Sequence, residues 1–379
     1  NMYAKNIFKD LSNASRIVNV MFMLFSLSFF ISFAINGGIL LNILSQYFFK
    51  YSFLFIVFHG FRISFKNLKK RERIIKMIFT LLFIQVILSI IKIMIFGFME
   101  GVVGSLSAKG AAVAVTFPIF AMILYYIVKS NRLSKKDWLY IISFFLIALA
   151  STKRTPIFTF PLILFLMGVY VKNTFKLSQT LKFLPLILIL LYVGIRSNES
   201  LNKNREAWGE FDLNYTASYI LNYNFGVSST QEINRDSRTG RGASLFLLFN
   251  PERLTSFNAT QKMFGLGAGI FRDENTKSFF LERFGHLGVV SYSFYLVVTL
   301  GYVGLITFLA FISSILFTIK NRKLRNILVL YVILEIFMYE GFSVTSNAMG
   351  LLLVAIIFYS NYYNKSNKTQ IFKSLTNRY

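Results

Sequence analysis

Apolar runs of about twenty residues recur through most of this 379-residue chain, and that length matches the roughly 30 Å of hydrocarbon that a helix must cross in a bilayer. Runs of this kind do not pack into one water-soluble core. The chain is 55% hydrophobic and only 15% charged, whereas soluble domains carry about a quarter charged residues. The expected fold class is therefore all-α, a polytopic transmembrane helical bundle. Ten runs qualify as spans: 17–35, 39–58, 74–98, 111–128, 138–152, 156–171, 183–195, 302–319, 327–339 and 347–363.

The loops between these runs are unequally charged. Arg62, Lys66, Lys69, Lys70, Arg71 and Arg73 follow the second run with only Glu72 opposing. Lys129, Arg132, Lys135 and Lys136 follow the fourth, Lys172, Lys176 and Lys182 the sixth, and Lys320, Arg322, Lys323 and Arg325 the eighth. Short cationic loops stay on the cytoplasmic side, so both termini are expected there and the charge-poor segment 100–110 opposite. The net charge of +25 then reports topology and anionic membrane lipids rather than nucleic acid. Asn1 ahead of Met2 reads as a leftover, with Met2 as the native start, and no cleavable signal peptide is expected. The chain has no cysteine and two histidines. With no paired-carboxylate motif either, neither a protein-bound metal nor any cofactor is expected.

The pattern changes after residue 195. From 196 to 285 the chain is polar, with eleven Lys and Arg against ten Asp and Glu, and long loops translocate largely regardless of charge. The expected organisation is N-terminal helices in 1–195, a large, partly helical outside loop in 196–300, C-terminal helices in 301–363 and a cytoplasmic tail in 364–379. Loops of this length are usually functional, and Trp208, Phe211, Tyr215, Tyr219, Tyr223 and Phe225 argue for a folded cap.

Within this frame several clusters can carry chemistry. Lys153 and Arg154 fall about 25 Å above Trp138 at 1.5 Å per residue, near the outer boundary. Thr155 is expected as N-cap and Pro156 as first residue of the returning helix. The two cations would then meet free N–H groups and the positive end of a helix dipole, which makes an anion site. Arg235, Arg238 and Arg241, spaced by Gly, Ser and Asp, read either as an oxyanion clamp or as a solvated turn. Gly265, Gly267 and Gly269 lack the strand–helix context of a dinucleotide site and suit a tight turn approaching a ligand or helix. His286, with Glu282 one turn before it, reads either as a general base or as an interfacial residue. His59 is read as structural. Lys50, Lys92 and Glu335 fall inside expected spans, where a charge marks either a functional path or a misdrawn span end.

Three of these features together resemble the O-antigen polymerase and ligase superfamily: the helix start Ser151 to Arg154, the outside loop with its arginines, and Gly265-x-Gly-x-Gly-Ile-Phe271 followed by Gly301-Tyr-Val-Gly304-Leu-Ile. The likeness covers 138–319 in motif and the remainder in hydropathy, and it is nearest to repeat-unit polymerases of the Wzy type. Val290 stands where the family often places a histidine, with His286 one turn earlier. Ligases depend on that histidine more heavily, which favours a polymerase.

The resemblance implies a bacterial inner-membrane glycosyltransferase without a metal or cofactor. Its donor and acceptor would both be undecaprenyl-diphosphate-linked oligosaccharides, joined on the periplasmic face. It implies that Lys153 and Arg154 hold one diphosphate, that Arg196, Arg235, Arg238, Arg241 and Arg272 with Gly265, Gly267 and Gly269 form the remaining substrate site, and that His286 and Glu282 are the catalytic pair. It also implies a chain-length regulator as partner. The rivals are a ligase transferring the same glycan to a lipid core and a flippase for the lipid-linked oligosaccharide.

Overall fold

The computed structural model describes residues 2–37, 40–97, 102–105, 111–128, 135–151, 154–168, 177–225, 244, 245, 248, 257–268, 270, 290–338 and 349–362. All regular structure among them is helical. Three stretches are long and apolar enough to cross a membrane, at Ser15–Asn36, Lys69–Phe96 and Tyr292–Leu316, and shorter apolar helices accompany them. The chain forms two compact units. One comprises Asn1–Ser52, Ala217–Thr318 and Leu328–Val344; the other comprises Phe53–Thr216, Ile319–Ile327 and Thr345–Tyr379.

The first unit is built on α1 (Met2–Asn36) packed along α11 (Tyr292–Leu316). Aromatic rings fill the seam: Phe25 lies 5.5 Å from Phe308 and Phe22 lies 5.2 Å from Phe311. Small polar residues let the two backbones approach, as is usual between helices that have no water to exclude. Ser28 and Thr307 hydroxyls are 2.9 Å apart, and Ser32 Oγ donates to the Thr299 carbonyl at 3.1 Å. After α2 (Leu40–Gln46) the chain widens into a π-helical stretch, Tyr47–Ser52. Tyr47 and Tyr51 project from it onto Phe29, at 5.2 and 5.6 Å, and Tyr47 Oη pairs with Ser26 Oγ at 2.6 Å.

The second unit begins with α3 (Phe53–Ser64) and α4 (Leu68–Phe96). Asn67 caps α4 by accepting from the Lys69 and Lys70 amides, and Gly97 at φ 72° closes it. The chain then turns back along α4. The Gly104 amide donates to Ser89 Oγ at 2.8 Å and the Ser105 amide to Gln85 Oε1 at 2.7 Å. Gln85 lies about 16 Å below the end of α4 at 1.5 Å per residue, so 102–105 are not part of a simple outer turn. Val102 and Val103 are fully buried.

The centre of this unit is α5 (Ala111–Val128), whose residues 115–127 are all buried. Around it stand α6 (Lys135–Ala150), α7 (Thr155–Leu166) and α8 (Leu177–Ser197). α9 (Leu213–Phe225) follows the loop after α8, and α10 (Ala259–Phe264) lies in the first unit. α12 (Arg322–Met338) and α13 (Met349–Tyr362) complete the described chain. In the second unit α13 meets α3 through Phe358, 5.3 Å from Phe58.

Two sequence expectations change here. The run expected to begin at 302 begins at Tyr292, so residues 292–300, assigned above to the outside loop, are the first half of α11. Gly301 looks like a boundary because it is where the helix breaks and resumes. Arg154, not Thr155, stands at the N-cap of α7, with αR dihedrals and no side-chain cap hydrogen bond, because Thr155 is already helical.

Candidate functional site

In the second unit, α6 ends at Ser151, which is fully buried and bonds back to the Ala148 carbonyl at 2.6 Å. Three residues later Arg154 opens α7, with Pro156 in the first turn as its fixed φ and missing N–H favour. Arg154 Nε donates to Ser200 Oγ at 2.8 Å, and Ser200 Oγ donates to Asn198 Oδ1 at 2.6 Å. A guanidinium held through Nε has its plane fixed, and a fixed plane is what bidentate binding of an oxyanion requires. The helix dipole puts partial positive charge at the same point.

The loop that receives Arg154 is itself organised around Arg196. Arg196 Nη2 donates to the Trp208 carbonyl at 2.7 Å, and the Trp208 amide returns a bond to the Arg196 carbonyl at 2.6 Å. The guanidinium carbon lies 5.9 Å from the Tyr192 ring and 6.0 Å from the Trp208 ring, distances at which aromatic faces attract a cation. Arg196 has no carboxylate partner and its Nε makes no hydrogen bond among the described residues. Asn202, fully buried, ties the turn by donating through Nδ2 to the carbonyls of Arg196, Asn198 and Glu206 at 2.9, 3.2 and 2.8 Å. Arg154 and Arg196 are thus anchored to one compact loop, through Ser200–Asn198 and through Trp208.

The first unit holds the glycine turn. α10 starts with a capping box, Asn258 accepting from the Gln261 amide and Gln261 reaching back. It ends at Gly265, φ 72°. The Leu266 and Gly267 amides then donate to the carbonyls of Val298 and Thr299 at 2.8 and 3.0 Å. In an unbroken helix those two carbonyls would accept from residues 302 and 303. The break at Gly301, φ 73° and ψ −177°, releases them, and the turn supplies the donors that a membrane interior lacks. The two glycine segments that carry the family likeness therefore pack against each other. Gly267 also approaches Asn36 and Gly37 at the end of α1.

Of the sequence-derived site residues, Arg154, Arg196, Gly265 and Gly267 have described positions. Arg154 and Arg196 share a loop in the second unit, and the two glycines share a turn in the first. Lys153, Arg235, Arg238, Arg241, Gly269, Arg272, Glu282 and His286 lie outside the described residues, as does the side chain of Lys50. Glu335 is buried, and Lys92 is half-buried in the last turns of α4. Sequence reasoning missed Trp208, Tyr192, Asn202 and Ser200. The polar run Ser197-Asn-Glu-Ser-Leu-Asn202 directly after an apolar helix was the available signal. No family model, curated protein or solved structure matches the chain.

Proposed function

We propose that the chain is a repeat-unit polysaccharide polymerase of the O-antigen polymerase and ligase superfamily, a glycosyltransferase of the bacterial inner membrane. In this reading it crosses the membrane ten times with both termini in the cytoplasm, and 196–300 form the periplasmic cap. The glycan of one undecaprenyl-diphosphate-linked donor passes to a hydroxyl of a second lipid-linked repeat unit. The bond from anomeric carbon to diphosphate oxygen breaks, a glycosidic bond forms, and the acceptor proton goes to a base, for which His286 beside Glu282 is the candidate.

The observation that carries the reading is Arg154 at the start of α7, held to Ser200. A guanidinium beside the positive end of a helix is unfavourable alone and becomes favourable when an anion sits between them. A diphosphate is that anion, and as a good leaving group it needs charge stabilisation rather than an acid. Arg196, flat between two rings and without a carboxylate, adds a second positive charge on the same loop.

The test is the pattern of lipid-linked glycans in cells lacking the protein. Accumulation of single repeat units on the carrier, with no longer chains, is the expected result. Long carrier-linked chains that fail to reach a lipid core would instead assign a ligase. Repeat units trapped on the inner leaflet would assign a flippase.

A further inference from the structure

A groove in the second unit, away from the arginine loop, has the features of a lipid site. Phe79, Phe83 and Val86 of α4, Tyr125 of α5, and Tyr140 and Phe144 of α6 line a cavity of about 260 Å³. Its wall is almost wholly apolar. The one acid near it, Asp137, is buried and accepts a hydrogen bond from Tyr125 Oη at 2.7 Å. Tyr125 and Tyr140 lie 5.3 Å apart and Tyr140 is 6.4 Å from Phe83, so the three rings bracket the groove across three helices.

The groove lies toward one end of these helices, and that end is basic. Val128, the last residue of α5, belongs to its lining, and α6 begins with Lys135 and Lys136. On α4, Lys69, Lys76 and Phe83 recur at a spacing of seven, which keeps them on one stripe within about 20° per step. Lys69 and Lys76 are exposed, and Glu72 is the only acid between them. Lysine stems lie along apolar surface and carry their heads toward water. An apolar groove that opens to hydrocarbon beneath a cationic rim matches a molecule with an acyl chain and a negative head.

We propose that this groove binds an anionic phospholipid of the inner leaflet, with one acyl chain among Phe79, Phe83 and Tyr140 and the phosphate at Lys69 and Lys76. The site rests on the membrane-spanning reading and the cytoplasmic side of the basic segments, and not on glycosyl transfer. The carrier diphosphate of the proposed reaction works on the opposite face, so it is not the occupant.

The chain has two tryptophans, Trp138 and Trp208, and Trp138 lies on α6 just before Tyr140. A Trp208→Phe protein reconstituted in phosphatidylcholine reports on this groove through Trp138 alone. Brominated phosphatidylglycerol, titrated in, is expected to quench Trp138 with a preference over brominated phosphatidylcholine of roughly fivefold for each engaged cation. Lys69→Gln with Lys76→Gln, both at exposed positions, is expected to remove the preference while circular dichroism stays unchanged. Phe83→Ala is expected to weaken quenching by both lipids. Equal quenching by the two lipids, or a preference that survives the double lysine variant, overturns the site. So does displacement of phosphatidylglycerol by a polyprenyl phosphate at lower concentration, which would make the groove part of a substrate path. None of these results bears on whether the protein lengthens glycans.

Discussion

Gly265 and Gly301 stand back to back. A Cβ on Gly301 would run into the Met263 carbonyl, and one on Gly265 would run into the backbone at Thr299. Both residues have φ near +73°, where an L side chain costs about 1–2 kcal/mol before any clash. Gly301→Ala and Gly265→Ala should each lower stability by about 2 kcal/mol or more, seen as a loss of several degrees in the thermal unfolding of detergent-solubilised protein. The same substitution at Gly60, where nothing lies within 4 Å of the added carbon, should be neutral or slightly stabilising, since it replaces glycine inside a helix. Equal melting of all three variants would show that the turn does not dock on the helix break.

Arg154→Ala removes a charge-assisted hydrogen bond worth about 1.5–3 kcal/mol, or about 10- to 150-fold in rate where that bond forms mainly in the transition state. Arg154→Lys should do little better, because a lysine has no planar fork to hold between Ser200 and an oxyanion. Ser200→Ala should cause a milder loss, since the guanidinium remains but is less well aimed. Lys172→Ala should polymerise normally. Polymer length on the carrier, at matched membrane expression, checks all four. Wild-type polymer from Arg154→Ala together with failure of Lys172→Ala would remove the anion site.

Asn202 is the knot of the loop that carries Arg196. Asn202→Ala deprives three carbonyls of their shared donor, at about 1–3 kcal/mol for groups left unsatisfied in a buried place. The loop should open, and tryptic cleavage after Lys203 and Arg205 should speed up by tenfold or more. Glu210→Ala breaks the Lys203–Glu210 pair, which is 3.6 Å long with both side chains more than half exposed. Surface pairs of this kind contribute little, so its cleavage rate should stay within about twofold of wild type.

The absence of cysteine allows clean topology labelling. Asn224→Cys, in α9, should react with an impermeant maleimide in cells whose outer envelope has been opened. Lys69→Cys, at the start of α4, should react only after the inner membrane is permeabilised. The reverse order would overturn the orientation, and with it both the outer anion site and the inner-leaflet lipid groove.

The helical character was legible because the apolar runs are long, and the start of α7 because proline marks it at Pro156. The turn at Gly265 was legible as a close backbone approach, although what it approaches was not. The break inside α11 was hidden. A glycine between two apolar stretches looks the same whether a helix ends there or continues past a kink. The Arg196 cage was hidden for another reason: Trp208 lies twelve residues on, across a turn held by Asn202, and no periodicity encodes such a contact. Helices such as α5, buried on every side, also carry no polar face to show which way they point. In a bilayer the usual contrast between a wet and a dry side is missing.

The π-helical stretch at Tyr47–Ser52 makes one helical rod serve two cores. Upstream, Tyr47 and Tyr51 stack with the phenylalanines of α1; downstream, Phe58 and Phe61 turn to Phe358 of α13. A π-turn accommodates an extra residue without lengthening the rod by a full step, and so offsets the two halves in phase. Deleting one residue between 48 and 50 would let the rod anneal to a uniform pitch. Every side chain after it would then rotate by about 100°, the angle of one helical residue, and α3 would present the wrong edge to its neighbour. The wide turn acts as a gear tooth, timing one half of the chain against the other.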